Sequence, residues 1–182
     1  YSGNGAQWVG MGQRLLGESV RFSELMQSLD EKMKPIAGFS LLGELRATGE
    51  DSRLDDTVVA QPLLFAIQVA ITMLLREQGI KPDAVAGHSV GEVAAAWASG
   101  ALDLDAAVRV IVARSQAQGA TRGAGRMAVI GLSATAMESL FSDFGGQLDV
   151  TIAGVNSPNH ITLSGSLADR ERVQASLASK GV

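Results

Sequence analysis

Residues 87–91 read Gly87-His88-Ser89-Val90-Gly91, a G-x-S-x-G pattern. An apolar stretch, 84–86, precedes it and a helix-forming stretch, 92–98, follows. A serine between strand and helix sits on a sharp, strained turn that presents its hydroxyl at the strand end, ready to act as a nucleophile. The glycines on either side have no Cβ, so strand and helix can approach closely. The helix start adds unpaired N–H groups and partial positive charge, which stabilise an oxyanion formed beside the serine. Acyl transfer through a serine ester is the chemistry this arrangement predicts.

A serine hydroxyl is weakly nucleophilic until a base removes its proton, and histidine is the usual base. The chain holds two histidines. His88 adjoins Ser89, but neighbouring side chains on a turn diverge, so a packing or hydrogen-bonding role is expected. His160 opens the second strand of a predicted hairpin and reads as solvent-facing. The sequence therefore supplies a nucleophile without an evident base. Arg114, in Val112-Ala113-Arg114-Ser115, has two readings: a surface arginine at the end of an amphipathic helix, or a guanidinium that binds a substrate carboxylate through two hydrogen bonds. Spacing alone favours the first. Gln61, before Pro62, is either a helix-start polar group or a pocket residue. The opening Gly3-Asn4-Gly5-Ala6-Gln7 is either an ordinary turn or a loop offering backbone N–H groups to an oxyanion. It is not a phosphate loop, because Lys32 is the first lysine in the chain.

These residues need elements to hold them. After the glycine-rich loop 1–13, the spacing of Val20, Phe22, Leu25, Met26 and Leu29 predicts an amphipathic helix. A short helix is expected over 41–46 and a long buried one over 57–78, with Pro62 tolerated near its start. A strand is predicted at 84–87, the elbow helix over 92–98, and a further helix over 104–117 with Val108, Ile111 and Val112 on one face. The Gly-rich run 119–125 is the best linker candidate. Beyond it the pattern changes to a strand at 126–132, a helix at 135–144, a hairpin of 150–156 and 160–165, and a helix at 167–180 closed by Gly181. That order, β-α-β-β-α, is a split β-α-β unit lacking its last strand.

Composition narrows the classes. The chain has 182 residues, 46% hydrophobic and 19% charged, which suits a folded globular protein. A net charge of −4 gives no electrostatic case for nucleic acid or an anionic membrane. Cysteine is absent, which excludes disulfides and thiolate chemistry, and two histidines leave no multi-histidine metal site; no metal is expected. The apolar run 62–75 is shorter than the roughly 18 residues of a membrane span. No signal peptide is evident, and a cytoplasmic location is expected. The start at Tyr1 is expected to be a cut within something longer.

Four blocks, taken in order, resemble the acyltransferase domain of modular type I polyketide synthases, within the malonyl-CoA:acyl carrier protein transacylase superfamily. They are Tyr1–Trp8 with Gly10-Met11-Gly12; Gln61-Pro62-Leu63-Leu64-Phe65-Ala66; Gly87-His88-Ser89-Val90-Gly91-Glu92; and Val155-Asn156-Ser157-Pro158 with Ser164-Gly165. The resemblance implies an α/β fold. Residues 1–124 would form an α/β-hydrolase-like subdomain with a parallel sheet and the nucleophile elbow. Residues 125–182 would form a small ferredoxin-like subdomain, incomplete at its C-terminus.

The resemblance also implies roles. Ser89 would take the acyl group from acyl-CoA and pass it to the phosphopantetheine thiol of an acyl carrier protein. The backbone N–H groups of Val90 and Asn4 would form the oxyanion hole; Asn4 stands where the family commonly has glutamine, and a backbone donor survives that change. Arg114 would pair with the free carboxylate of a malonyl-type unit, with Gln61 and His88 as further substrate-binding residues. Val90 after the serine leans towards malonyl. Residues 56–61 partly resemble the malonyl-type upstream motif, with Val59 where an aromatic residue is usual. No permanently bound cofactor is implied. Expected partners are the carrier protein, a neighbouring ketosynthase domain and malonyl-CoA. The family's general-base histidine follows the last strand of the small subdomain, so it is expected beyond residue 182, and the fragment alone is expected to be inactive. The alternatives are an α/β-hydrolase esterase or lipase using the same elbow, a patatin-like lipase, and a non-enzymatic docking module.

Overall fold

The computed structural model describes residues 1–145, 148–179 and 181. The chain divides into two compact units, Tyr1–Ala120 and Thr121–Val182.

The first unit is built on helices: α1 (Gln13–Glu18), α2 (Val20–Ala37), α3 (Leu41–Arg46), α4 (Thr57–Glu77), α5 (Gly91–Ala98) and α6 (Leu104–Ala120), with a 3₁₀ turn at Gly49–Asp51. Side chains mark where several begin. Ser19 accepts from the Phe22 N–H at 3.2 Å, Ser40 from Gly43 at 3.1 Å, and Asp56 from Val58 at 3.0 Å. Each such cap contributes about 1 kcal/mol, because it satisfies an N–H that the helix itself cannot. The apolar spacing read for α2 buries Phe22, Leu25, Met26 and Leu29, together with Met33. Val20 does not join them: it occupies the first helical position and is 77% exposed.

Helix α4 is the centre of this unit. Its buried positions run from Val59 to Ala66 and then Val69, Ala70 and Thr72, so it is apolar almost all round. Among the described residues it is the one helix long and apolar enough to cross a membrane, yet 61% of its apolar stretch is buried inside the protein. Its Leu63, Phe65 and Ala66 pack with Met26, Val93, Trp97, Val108 and Ile111 of α2, α5 and α6. Full burial of a side chain such as Phe65 or Leu63 is worth about 1.5–3 kcal/mol.

Two expectations need correction in this unit. No strand forms at 84–87, nor anywhere else among its described residues, so the expected parallel sheet is absent from it. The segment is extended and makes a single rung: the Tyr1 amino group donates to Ala86 O at 2.7 Å and the His88 N–H donates to Tyr1 O at 3.0 Å. That two-bond pattern, centred on Gly87, is parallel pairing one residue long. Secondly, Gly119 and Ala120 are not linker but the last turn of α6. The helix continues because Gly119 fits under α4: a Cβ there would lie 2.4 Å from Val58 Cγ2.

The second unit contains β1 (Arg126–Ile130), α7 (Ala134–Asp143), β2 (Val150–Ser157), β3 (His160–Gly165) and α8 (Leu167–Ser179). Strand β1 stops at Ile130, two residues before the predicted end. Lys180, the predicted end of the last helix, lies outside the described residues. The sheet order is β1-β3-β2, with β3 antiparallel to both neighbours. Strands β1 and β2, joined through α7, therefore run parallel with β3 between them. Alternation puts Ile161 and Leu163 of β3 on one face, where they pack with Met137 and Leu140 of α7 and Val173 and Leu177 of α8. Met127 and Val129 of β1 project from the other face, 58% and 67% exposed.

Candidate active site

Ser89 has φ 55°, the one positive value at a non-glycine residue among those described. Such a conformation costs a serine about 1–3 kcal/mol and persists only where the surroundings enforce it. Here the enforcement is steric. A Cβ on Gly87 would lie 2.3 Å from Gly91 O, and one on Gly91 would lie 2.2 Å from Tyr1 O. The chain can cross itself this tightly only with glycine at both positions, and the serine between them takes up the turn.

Val90 follows, fully buried and in helical conformation at the head of α5. The next three N–H groups, of Gly91, Glu92 and Val93, are taken by the carbonyls of His88, Ser89 and Val90 at 2.9, 3.1 and 3.2 Å. No acceptor among the described residues meets the N–H of Val90 itself. The glycine-rich opening loop lies against the elbow: a Cβ on Gly3 would sit 3.2 Å from Ser89 Cβ and 2.9 Å from His88 Nδ1. Asn4 is the next residue along and is exposed. Gln7 organises the loop, its Oε1 accepting from the Gly5 N–H at 2.8 Å and its Nε2 donating to Leu54 O at 3.3 Å.

The side chain that reaches the serine is an arginine, not a histidine. Arg114 Nη2 donates to Ser89 Oγ at 3.2 Å. Its Nη1 donates to Gln61 Oε1 at 2.5 Å and to Gln118 Oε1 at 3.2 Å. Gln61 is fully buried, and its Nε2 donates to Thr57 Oγ1 at 2.6 Å and to Gln118 Oε1 at 2.5 Å. Two i,i+4 pairs thus face each other, Thr57 and Gln61 on α4 and Arg114 and Gln118 on α6. Every group that holds the guanidinium is neutral. No carboxylate forms an ion pair with Arg114 among the described residues, whereas Arg14, Arg21, Arg53 and Arg172 each have one.

His88 is exposed and makes no hydrogen bond to Ser89 Oγ. His160 belongs to the second unit, exposed at the start of β3, with its Nδ1 3.2 Å from Ser157 Oγ. Among the described residues no three His, Asp or Glu side chains gather as metal ligands. Two apolar depressions of the first unit, about 300 Å³ beside Tyr1, Arg76 and Val85 and about 460 Å³ beside Trp8, Leu15 and Gln68, include neither Ser89 nor Arg114. The candidate site is therefore defined by the elbow and its arginine.

Gln118 is not among the residues the sequence singles out, and Thr57 enters only within the 56–61 motif. Their signal was available: each lies four residues from a candidate already named, on the same helix face. What the sequence lacked was the pairing of α4 with α6.

A strained serine between crossing glycines, at the head of a helix, has the geometry of the nucleophile elbow found in serine acyl-transfer folds. Comparison with known proteins specifies the family. The acyl transferase domain model matches residues 1–182, and the chain belongs to that family. It is 37% identical over 182 residues to the polyketide synthase GfsB of Streptomyces halstedii, covering 100% of this chain and 3% of that protein. Among solved structures, the loading acyltransferase of the avermectin modular polyketide synthase superposes with a TM-score of 0.87 at 33% identity, covering 99% of this chain and 57% of that one. The malonyl-CoA:ACP transacylase of Synechocystis sp. PCC 6803 does so with a TM-score of 0.78 at 30% identity, covering 96% and 56%. The chain therefore spans a few per cent of its curated relative and somewhat over half of these solved domains.

Proposed function

We propose that this chain is the nucleophile-bearing part of a polyketide synthase acyltransferase that moves a malonyl group from coenzyme A to the phosphopantetheine thiol of an acyl carrier protein. One observation carries the reading: a guanidinium with no acidic partner among the described residues touches the nucleophile at 3.2 Å. In a malonyl group the carboxylate carbon and the thioester carbon are separated by two C–C bonds, about 2.5 Å. A carboxylate docked on Arg114 therefore brings the thioester carbon to Ser89 Oγ.

In the first half-reaction, Oγ attacks that carbon and loses its proton; the C–O bond forms, the C–S bond breaks, and coenzyme A leaves as the thiol. In the second, the carrier thiol attacks the ester, C–S forms, C–O breaks, and Oγ recovers a proton. Both pass through a tetrahedral oxyanion, assigned to the N–H groups of Val90 and Asn4. Removing one such donor typically costs 10²–10³ in rate. His88 flanks the site as a substrate-side residue, and Gln61 acts through Arg114. The proton acceptor for Ser89 is proposed to lie in the remainder of the parent protein. This chemistry calls for no permanently bound cofactor. The carrier protein and a neighbouring ketosynthase domain are the proposed partners. Val90, the residue after Ser89, supports malonyl over bulkier units through the resemblance to the family, in which a small or branched aliphatic residue there leans towards malonyl.

The test offers labelled malonyl-CoA to the complete protein. Label is expected on the Ser89 peptide and absent from Ser89→Ala. Arg114→Ala is expected to lower malonyl transfer about tenfold to a hundredfold more than acetyl transfer, because acetyl has no carboxylate to lose. Hydrolysis of simple esters, with water rather than the carrier thiol as acceptor, supports an esterase instead, and label persisting in Ser89→Ala overturns the assignment.

A further inference from the structure

We infer that Gln118 is a positioning residue for extender selection: together with Gln61 it fixes Arg114 through neutral oxygens, so that the guanidinium is held still yet keeps its charge for the substrate. The inference rests on the malonyl-transfer reading above.

An arginine can be immobilised in two ways. A carboxylate holds it firmly and supplies its counter-charge, which leaves little attraction for a second anion. An amide oxygen accepts the same N–H bonds and brings no charge. This site uses the second way twice. The guanidinium only donates, so both amides must turn their oxygens towards it. Gln61 does so because both hydrogens of its Nε2 are committed, to Thr57 Oγ1 and to Gln118 Oε1. The Gln118 oxygen therefore serves two donors, Gln61 Nε2 at 2.5 Å and Arg114 Nη1 at 3.2 Å. It sets the orientation of the buried amide and shares in holding the cation.

The consequence is directional. With its two hydrogens on Gln61 and Gln118, Nη1 has none to offer a ligand. The donors left for a carboxylate are Nε and Nη2, and Nη2 is the atom beside Ser89 Oγ. The network thus confines an incoming anion to the edge of the guanidinium that adjoins the nucleophile. Gly119 makes the arrangement reachable. A side chain there would press to 2.4 Å on Val58, whose branched Cβ is stiff in a helix. Glycine lets α6 close on α4, one residue from where Gln118 meets Gln61.

Three substitutions in the complete protein test this, read as the ratio of kcat/KM for malonyl-CoA to that for acetyl-CoA, with folding checked by circular dichroism. Gln118→Glu sets an anion against Arg114 and is expected to raise KM for malonyl-CoA and lower the ratio about tenfold. Gln118→Met has similar length and no charge; it loses the hold without neutralising the arginine, and a fall of about threefold is expected. Arg114→Ala gives the floor. If Arg114→Ala collapses the ratio while Gln118→Glu leaves it unchanged, Gln118 does not position the arginine and the malonyl reading stands. Should Gln118→Glu fail to fold, an unchanged ratio in Gln118→Met overturns the proposal equally. A ratio unmoved by Arg114→Ala removes the malonyl reading, and this inference with it.

Discussion

The two units satisfy their extended backbone in opposite ways. In the second, β3 is bonded on both sides by strands of the same unit, with β2 joined to it by a turn of two residues. In the first, the extended segment leading to Ser89 has one rung, made with Tyr1, 85 positions away for the bond to Ala86. A hairpin closes through its own turn, whereas a parallel strand needs partners brought from elsewhere in the sequence. Ser89 stands where distant segments cross, and steric exclusion, not a ladder of hydrogen bonds, fixes it.

The sharpest way to break that contrast is to put a methyl group where the first unit cannot accept one. In Gly91→Ala the new Cβ meets backbone, Tyr1 O at 2.2 Å and Ser2 O at 2.8 Å, so no rotamer change relieves it. The opening segment must leave the elbow, and the φ of Ser89 loses its support. The expected result is loss of Ser89 acylation and a stability loss of about 3 kcal/mol or more. Acylation measured at wild-type rate in a folded Gly91→Ala protein refutes the steric account of the elbow.

The second unit is expected to fail through its core instead. Leu163 is 1% exposed between α7 and α8. Leu163→Ala should cost about 2–4 kcal/mol through lost burial and an unfilled cavity. Amide exchange should rise together across β1, β2 and β3, since β3 bonds to both neighbours. Faster exchange in β3 alone argues against one cooperative sheet.

The same contrast explains what could be read from the sequence. Helix α3 forms at the predicted 41–46, and the predicted hairpin forms with its turn at Pro158-Asn159, because periodicity and turn residues are local signals. Ser89 was readable because the elbow pattern is five consecutive residues. Spacing alone favours a surface reading of Arg114, yet its guanidinium reaches Ser89: which way it faces depends on the packing of α6 against α4, which no local pattern encodes. The roles of Gln118 and Thr57 were missed for the same reason. The strand at 84–87 was over-read. Its apolar run is real, but a run becomes a strand only where a neighbour pairs with it, and Tyr1 supplies one rung. Gly119 misled in the other direction: glycine is a common helix stop, and here it serves close helix packing.

The smallest expected effect lies in the acid response of the second unit. Asp169 stands near the start of α8, its Oδ2 accepting from the Asp149 N–H at 2.9 Å and its Oδ1 from Arg172 Nη1 at 2.6 Å. The Asp149 N–H first, then Arg172, hold its carboxyl below the ordinary aspartate value of 3.8. A carboxylate with a depressed pKa adds stability that is full above its unfolded value and is lost as pH falls through the folded value. Asp149, just before β2, should therefore stay pinned to α8 at neutral pH and loosen only as pH falls below the ordinary aspartate value of 3.8. Asp169→Asn should flatten that acid dependence and weaken the pin at every pH. An NMR titration of the Asp169 carboxyl, with exchange of the Asp149 amide followed in parallel, checks both. A midpoint at or above 3.8, or an Asn variant with the same acid loss, would assign the response to other carboxylates. The elbow offers the counter-case: Ser89 and Arg114 are held by neutral groups, and no carboxylate pins them among the described residues. As pH falls through the lowered Asp169 value, acid should therefore release Asp149 while leaving the Arg114 contact to Ser89 in place.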